Sequence, residues 1–303
     1  MKILRPQEPV AKRYSLVAVF LGLLFLFGVW FGVSQHYAAA GKSVLLPSPK
    51  AVGERFMDML GWGPATQKRV EQARKRIGTE DSDALAAEIA SIRERSRDSL
   101  ETLGSDLLIS FKRVTGAFLL AALLAIPLGV FIGSFQLLEA FFQPGIEFMR
   151  YLPVPALIPV LIILFGVDEA PKIMLIFLGT FFQLTLMVSD EVRRVPAEMV
   201  RACYALGGTV YEVVTTVIMR SAMPGIFDAL RMCNGWAWTW LIVAELVAAN
   251  EGMGFRIIRL QRYLQTDTIF IYLIVLGLVG LFIDFLFRLM NRHLFQWNHV
   301  ARS

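Results

Sequence analysis

The sequence predicts an all-α polytopic membrane protein with six transmembrane helices, on three observations. Hydrophobic residues make up 56% of the 303 residues and charged residues only 18%, and the mean hydropathy is +0.57. This apolar content exceeds what a soluble domain of the same length needs. Six stretches concentrate the apolar residues, and a helix is the conformation in which each would satisfy its backbone hydrogen bonds within lipid.

The predicted spans differ in how well they meet the requirement of about 20 apolar residues for crossing the hydrocarbon core. In chain order they are Ser15–Gln35, Val114–Phe135, Pro153–Val167, Ile173–Ser189, Met232–Ala249 and Ile269–Met290. The third is the shortest and contains three prolines. A signal peptide is the alternative for the first, because Ala38–Ala40 resembles a cleavage site. Its apolar run exceeds the roughly 7–15 residues of a signal core, so we predict a retained anchor.

The distribution of Lys and Arg predicts the orientation, because short cytoplasmic loops carry an excess of both. With the N-terminus inside, twelve basic residues are cytoplasmic: Lys2, Arg5, Lys12, Arg13, Arg150, Arg193, Arg194, Arg201, Arg220, Arg288, Arg292 and Arg302. The short outer loops hold four, which are Lys172, Arg256, Arg259 and Arg262. Both termini are therefore predicted to be cytoplasmic. The same topology explains the formal net charge of +5 without any nucleic-acid partner.

The spans divide the chain into five predicted regions. They are a cytoplasmic N-terminus (1–14), an anchor helix (15–36), an outer segment (37–113), a membrane core (114–290) that includes the cytoplasmic loop 190–224, and a cytoplasmic tail (291–303). Residues 67–97 of the outer segment have the Lys, Arg, Glu and Ala content of solvated helix. They predict two short extramembrane helices joined near Gly78–Thr79, the second capped by Ser82. A solvated excursion without a specific partner explains this composition equally well.

A polar insert between the fourth and fifth spans, residues 196–224, predicts two short helices joined at Gly207–Gly208. Gly207 permits the left-handed backbone with which many helices end. Thr209 and Glu212 have the spacing of a capping box at the start of the second helix. Four residues give that helix an apolar face: Val213, Val214, Val217 and Ile218. So structured a loop indicates a docking surface, and we call it the helical elbow.

The helical elbow resembles the EAA loop of binding-protein-dependent ABC importer permeases, in which Gly follows an E-A-A pattern and I-x-L-P comes later. Alignment on Gly207 places the E-A-A positions at Arg201, Ala202 and Cys203, and the I-x-L-P region at Val217–Arg220. Six further segments, in the right order, resemble the nitrate, sulfonate, taurine and bicarbonate branch: Leu46–Val52, Ile132–Ser134, Leu152–Pro159, Leu164–Gly166, Val243–Gly254 and Asp267–Thr268. The resemblance leaves out about residues 61–97, which are longer than the usual outer segment of the family.

The resemblance implies the fold of a type I ABC importer permease in the bacterial inner membrane, without catalytic residues, a bound metal or a cofactor of its own. ATP and Mg are expected on a separate ATPase. The implied partners are a second permease copy in a homodimer, two cytoplasmic ATPase subunits, a periplasmic or lipid-anchored solute-binding protein, and membrane lipid. The implied solute is a small anion of the nitrate, sulfonate, taurine or bicarbonate kind.

In this family the loop becomes the coupling helix, which docks in a groove of the ATPase. The residues that the resemblance assigns to this contact are Glu198, Arg201, Ala202, Cys203, Gly207 and Gly208. Three positions depart from the family pattern, because Arg201 replaces Glu, Cys203 replaces Ala and Arg220 replaces Pro. The reversal at Arg201 implies a compensating acid on the partner, or a shift of the role to Glu198 on the same helix face. Two solvated charges are the alternative.

Candidates for the solute path lie in the fifth span: Asn234, Trp236, Trp240 and Glu245. An ionised side chain in the membrane costs about 2.5–3.5 kcal/mol on insertion scales, so Glu245 requires either an Arg partner from another span or a pathway role. Trp236 and Trp240 share a helix face and lie deeper than an interfacial belt. Packing between spans and the lining of a constriction both explain them. Asp284 and Arg288, four residues apart, are predicted to pair.

A basic stripe is predicted on the outer side, where Arg256, Arg259 and Arg262 recur every three residues. On a helix these side chains would share one face. We expect the stripe to attract an anionic solute or to meet acids of a solute-binding protein.

Other functional classes lack their signatures. Gly41-Lys42-Ser43 ends like a phosphate-binding loop, but His36 stands where that motif requires Gly, so no nucleotide site is predicted. The three histidines lie at span ends or in the tail, which disfavours a proton relay. A membrane enzyme would need clustered His, Asp, Glu or Cys, which the sequence lacks, and the two cysteines lie far apart. A secondary transporter or channel that works without an ATPase is the alternative function.

Overall fold

The computed structural model describes residues 12–42, 44–77 and 82–296, and all regular secondary structure in these ranges is helical. The α-helices are α1 (Lys12–Ala39), α2 (Pro49–Met59), α3 (Pro64–Ile77), α4 (Ser82–Ser134), α5 (Gln136–Tyr151), α6 (Ile158–Phe165), α7 (Glu169–Arg193), α8 (Ala197–Ala205), α9 (Val210–Glu212), α10 (Met219–Ala248), α11 (Met253–Arg262) and α12 (Thr266–Leu294). A 3₁₀ turn (Val154–Leu157) precedes α6, and a π-helical segment (Val213–Ile218) links α9 to α10.

Five apolar helices among the described residues are long enough to cross a membrane, and a bent pair raises the number to six. The five lie in α1, α4, α7, α9–α10 and α12. The bent pair consists of α5 and the segment Val154–Phe165, which meet at 89°. The all-α polytopic fold class is therefore confirmed. The third predicted span is wrong as a single crossing, because its helical part covers only about 20 Å of a core about 30 Å thick.

Prolines explain the break in the bent pair. Leu152 has extended backbone angles (φ −67°, ψ 134°), as is usual for a residue that precedes a proline, and α5 ends there. Pro155 then lies in the first turn of the 3₁₀ helix, where its missing N–H leaves no bond unmade.

The segment after α1 is more helical than the sequence predicts. The predicted first outer helix is α3, and the predicted junction near Gly78–Thr79 lies outside the described residues. The second predicted helix is not short, because α4 runs for 53 residues from Ser82 through the second predicted span. The residues of α4 change from mostly charged to mostly apolar along its length, but the helix continues without a break. The structure adds α2, which Ser48 caps by accepting a hydrogen bond from the amide of Ala51 at 3.2 Å.

The described residues form two compact units. The first comprises residues up to Glu101 together with Leu260–Tyr272. Within it, the rings of Trp30 and Phe270 stack with their centroids 5.4 Å apart. The second comprises Thr102–Arg259 and the chain after Tyr272, and it contains the main buried core.

Two glycines of α4 bring the backbones of α4 and α7 together within the second unit. A Cβ atom placed on Gly129 would lie 2.7 Å from the carbonyl oxygen of Thr185, and one on Gly133 would lie 2.7 Å from that of Ser189. Small residues spaced four apart permit such an approach between helices in lipid. We call this the glycine contact. The four-residue spacing of these two glycines is visible in the sequence.

Candidate functional site

The first arm of the helical elbow forms as predicted. Helix α8 ends before Gly207, whose φ of 83° lies in the left-handed region that glycine tolerates. The amide of Gly208 then donates to the carbonyl of Cys203 at 2.9 Å, which closes the end of α8. A Cβ atom on Gly208 would lie 2.9 Å from the carbonyl oxygen of Cys203 and 2.5 Å from its sulfur, so a larger residue there would displace the end of α8.

The second arm begins with the predicted capping box. The amide of Glu212 donates to the hydroxyl of Thr209 at 3.3 Å, and the amide of Thr209 donates to the carboxylate of Glu212 at 2.7 Å. This arm is not the short helix that the sequence predicts. Helices α9 and α10 and the π segment form one uninterrupted helix from Val210 to Ala248, about 58 Å long. Pro224 lies inside it, and such interruptions are tolerated in membrane helices.

The helical elbow has one buried and one exposed apolar face. Val213 and Ile218 are buried and belong to the main core, which confirms the predicted inward face. The exposed face was not predicted. Its large apolar residues are Met199, Tyr204, Leu206, Val210 and Tyr211, with Leu206 89% and Tyr211 75% exposed. Large apolar side chains in an otherwise polar loop were the signal in the sequence that could have revealed this face.

The coupling residues assigned by resemblance lie along α8 and the turn after it. Glu198, Arg201 and Ala202 are exposed, and Cys203 is half-buried. Among the described residues, neither Glu198 nor Arg201 has an ion-pair partner. A groove of about 1090 Å³ separates α8 from the first turns of α10. Its lining includes Met199, Ala202, Cys203, Leu206, Arg220 and Phe295.

Glu245 lies at the other end of the long helix and is fully buried. Its Oε1 accepts hydrogen bonds from the hydroxyl of Ser110 at 2.7 Å and from Nη1 of Arg113 at 2.8 Å. Its Oε2 accepts one from the amide of Gly254 at 2.8 Å. The predicted pairing of Glu245 with an arginine of another helix is therefore confirmed. Arg113 is the last residue of the predicted outer segment and lies outside the predicted spans, so the sequence does not single it out as that partner.

Arg113 is the centre of this arrangement. Its Nε and Nη2 donate to the two carboxylate oxygens of Glu169 at 2.5 and 2.7 Å, and Nη1 donates to the carbonyl of Glu251 at 2.7 Å. Lys172 donates to the same carboxylate of Glu169 at 2.7 Å. Such two-point contacts fix the guanidinium in the plane of its partner.

A fourth ion pair extends the arrangement into the loop before α11. Arg256 donates to Asp106 at 2.8 Å, and Asp106 also accepts from the amide of Gly252 at 3.2 Å. Ser110 accepts from the amide of Met253 at 2.9 Å. The side chains involved, which we call the Arg113 cluster, are Asp106, Ser110, Arg113, Glu169, Lys172, Glu245 and Arg256. Its three cations and three carboxylates balance, whereas removal of one partner from a buried pair typically costs about 3–5 kcal/mol.

The other path candidates differ in exposure and in contacts. Trp240 packs on Gly179 of α7, where an added Cβ atom would lie 2.6 Å from the indole ring, and this contact favours the packing interpretation. Trp236 is 55% exposed and Asn234 is half-buried. A role in the solute path stays a prediction for Asn234 and Trp236.

The predicted basic stripe forms only in part. Helix α11 is present, so the three arginines share a helix as expected. The prediction that Arg256 belongs to the stripe is wrong, because its side chain forms an ion pair with Asp106. Arg259 and Arg262 are exposed. The predicted pair Asp284–Arg288 is confirmed, with the nitrogen and oxygen 2.5 Å apart.

Comparison with known proteins finds similarity both in sequence and in structure. The family of binding-protein-dependent transport system inner membrane components matches residues 125–296, which include the helical elbow. A probable ABC transporter permease protein of Brucella abortus is 35% identical over 66% of this chain and 80% of its own length. A putative aliphatic sulfonates transport permease protein of Bacillus subtilis is 33% identical over 64% and 70%. In structure, a chain of the MetNI methionine ABC transporter, crystallised in an inward-facing conformation, matches 65% of this chain and 98% of its own with a TM-score of 0.59 at 17% identity.

Proposed function

The chain belongs to the family of binding-protein-dependent transport system inner membrane components, and on that basis we propose that it couples ATP hydrolysis in a partner subunit to the uptake of a small anion. The observation that carries the proposal is the helical elbow. It presents an exposed apolar face along α8, the turn after it and the start of the next helix, while its base is built into the main core. A surface of this kind suits a groove on a partner protein, because burial of exposed apolar side chains stabilises association.

The partners follow from the same proposal. ATP and Mg bind to two ATPase subunits that dock on the helical elbows of two permease copies, and a solute-binding protein delivers the solute from the opposite side. Both chain termini and the helical elbow then face the cytoplasm, as the distribution of Lys and Arg predicts. Because a motion of α8 at the docked surface is passed to the helix that begins at Val210, the ATPase has a direct route into the membrane.

The proposed solute is a small oxyanion, with a sulfonate as the first compound to test. The relative in Bacillus subtilis is named for aliphatic sulfonates, and the sequence resembles the nitrate, sulfonate, taurine and bicarbonate branch. The exposed Arg259 and Arg262 support an anion, because fixed positive charge raises the local concentration of a negative solute. Competition by taurine, nitrate and bicarbonate against uptake of a labelled alkanesulfonate would rank the candidates.

Reversal of the two charges on α8 tests the coupling assignment. We expect Glu198→Lys combined with Arg201→Glu to lower ATP-dependent uptake at least about tenfold, because the exposed charges would face like charges on the ATPase. The measurement is uptake into vesicles that hold the permease with its co-purified ATPase and binding protein. Lys68→Glu on α3 reverses an exposed charge outside the helical elbow and is the control.

Two outcomes would contradict the proposal. If the doubly reversed permease still captures the ATPase and transports normally, the coupling assignment of Glu198 and Arg201 is wrong. If the native permease takes up the anion after ATP is depleted, the chain works as a secondary transporter or channel.

A further inference from the structure

One long helix connects the helical elbow at one end with the buried Glu245 near the other. The helix from Val210 to Ala248 begins at the capping box of the helical elbow and carries Glu245 close to its other end. Roughly 50 Å of helix separates these two points. The two features at which helices usually bend, the π segment and Pro224, both lie in its first half. The part after Pro224 packs against α7, so it moves as one body rather than by bending locally.

The Arg113 cluster joins that helix to two others. Asp106, Ser110 and Arg113 lie on α4, Glu169 and Lys172 begin α7, and Glu245 lies on α10. The three helices therefore meet through charged and hydroxyl side chains rather than through apolar packing alone. Arg113 contacts acids of both α7 and α10, so its side chain is the link between all three.

The cluster also holds the backbone that follows α10. Three successive amides, at Gly252, Met253 and Gly254, donate to three side chains of the cluster. Gly252 has a φ of 112°, and a Cβ atom there would overlap the carboxylate of Glu245. The start of α11 is consequently positioned by the same groups that bind α4, α7 and α10.

Two functions are compatible with such a cluster in a transporter, and burial distinguishes them. A gate would have to open during each cycle, which would leave a fully buried Glu245 and a nearly buried Arg113 without partners. A joint stays closed and makes its parts move together. The charge balance, the two-point contact of Arg113 with Glu169 and the complete burial of Glu245 favour the joint.

We propose that the Arg113 cluster is a permanently closed joint that makes α4, α7, α10 and the start of α11 one moving body, with Arg113 and Glu245 as positioning residues for transport. The inference rests on the proposed function, because the movement that the joint passes on begins at the docked helical elbow. If the joint is loosened, the movement of one helix is passed only in part to the others. ATP is then still hydrolysed while less solute crosses the membrane.

Arg113→Gln tests the joint through the amount of solute transported per ATP hydrolysed. We expect this ratio to fall about tenfold in complexes that assemble, which is within the range of allosteric coupling between sites. Ser110→Ala removes one hydroxyl and leaves the ion pairs, and we expect a fall of about threefold from the lost hydrogen bonds. An unchanged ratio in Arg113→Gln would overturn the proposal, whether uptake and ATP hydrolysis both stay native or both fall in proportion.

Labelling of a thiol at position 110 separates a joint from a gate. Ser110→Cys replaces a fully buried hydroxyl, and Lys112→Cys supplies an exposed thiol on the same helix as a control. Mass spectrometry identifies maleimide on each cysteine without ATP, with ATP and after vanadate trapping. A joint predicts that position 110 stays unlabelled in all three states, while position 112 reacts in all three. Labelling at 110 in any one state would show that the cluster opens and would overturn the proposal.

The native complex distinguishes this inference from the proposed function. If native protein shows no ATP-dependent uptake, the proposed function has failed before the joint is tested. If native protein transports and Arg113→Gln keeps the native ratio of solute to ATP, the joint alone is wrong.

Discussion

The double substitution Gly129→Leu and Gly133→Leu is expected to prevent stable folding of the membrane core. Each added Cβ atom would lie 2.7 Å from the Cβ atom of a valine on α7, Val188 or Val192, well inside the separation of about 3.5–4.0 Å at which carbon atoms attract. Overpacking of a tight site costs about 1–3 kcal/mol, so the double variant would lose about 2–6 kcal/mol. That is a large part of the roughly 5–15 kcal/mol by which a typical protein is stable.

Thermal unfolding of the detergent-solubilised protein measures this effect, together with the amount recovered from membranes. Gly116→Leu is the matched control, because Gly116 lies on the same helix and nothing lies within 4 Å of the added Cβ atom. We expect the control to unfold at the native temperature and the double variant to be recovered poorly or unfold much earlier. Equal stability of the two variants would show that α4 and α7 do not depend on the glycine contact.

The double substitution Leu206→Asp and Tyr211→Asp is expected to abolish capture of the ATPase while the permease itself still folds. Both side chains project from the helical elbow and are mostly exposed, so their replacement removes little packing within the chain. Burial of a large apolar side chain is worth about 1.5–3 kcal/mol, and an unpaired carboxylate in the contact adds a further penalty. The affinity should then fall at least about 100-fold.

Co-purification of the ATPase with the tagged permease measures this loss, and ATP-dependent uptake measures its consequence. Tyr263→Asp places the same charge on an exposed tyrosine outside the helical elbow and serves as the control. Unfolding temperature reports whether the permease is intact. Normal ATPase capture by the Leu206 and Tyr211 variant would mean that the partner binds elsewhere on the chain.

The sequence predicted the local features of the helical elbow because they depend on neighbouring residues. The left-handed turn at Gly207 and the capping box of Thr209 and Glu212 form from backbone geometry and hydrogen bonds that span only a few positions. The apolar inward face follows from helical periodicity. The sequence could not show that the second arm continues into α10, because no residue near Pro224 marks whether a membrane helix starts or merely continues there.

The sequence predicts only part of the Arg113 cluster. The membrane cost of an ionised Glu245 indicated that an arginine partner exists. Its identity depends on a contact across 132 positions of the chain, and the sequence placed Arg113 at the edge of the outer segment. The same limitation explains Arg256, whose spacing indicated a free basic stripe until the fold placed Asp106 beside it.

Composition and periodicity determined by themselves that this chain is a helical membrane protein, since the hydrophobic effect and the need to satisfy backbone hydrogen bonds in lipid act on every segment separately. Motif order determined the family. Only the tertiary structure decided which buried charges meet, how closely α4 approaches α7 and which apolar side chains are left exposed on the helical elbow. These depend on how the helices pack, because two side chains far apart in the sequence acquire a distance only when the chain has folded.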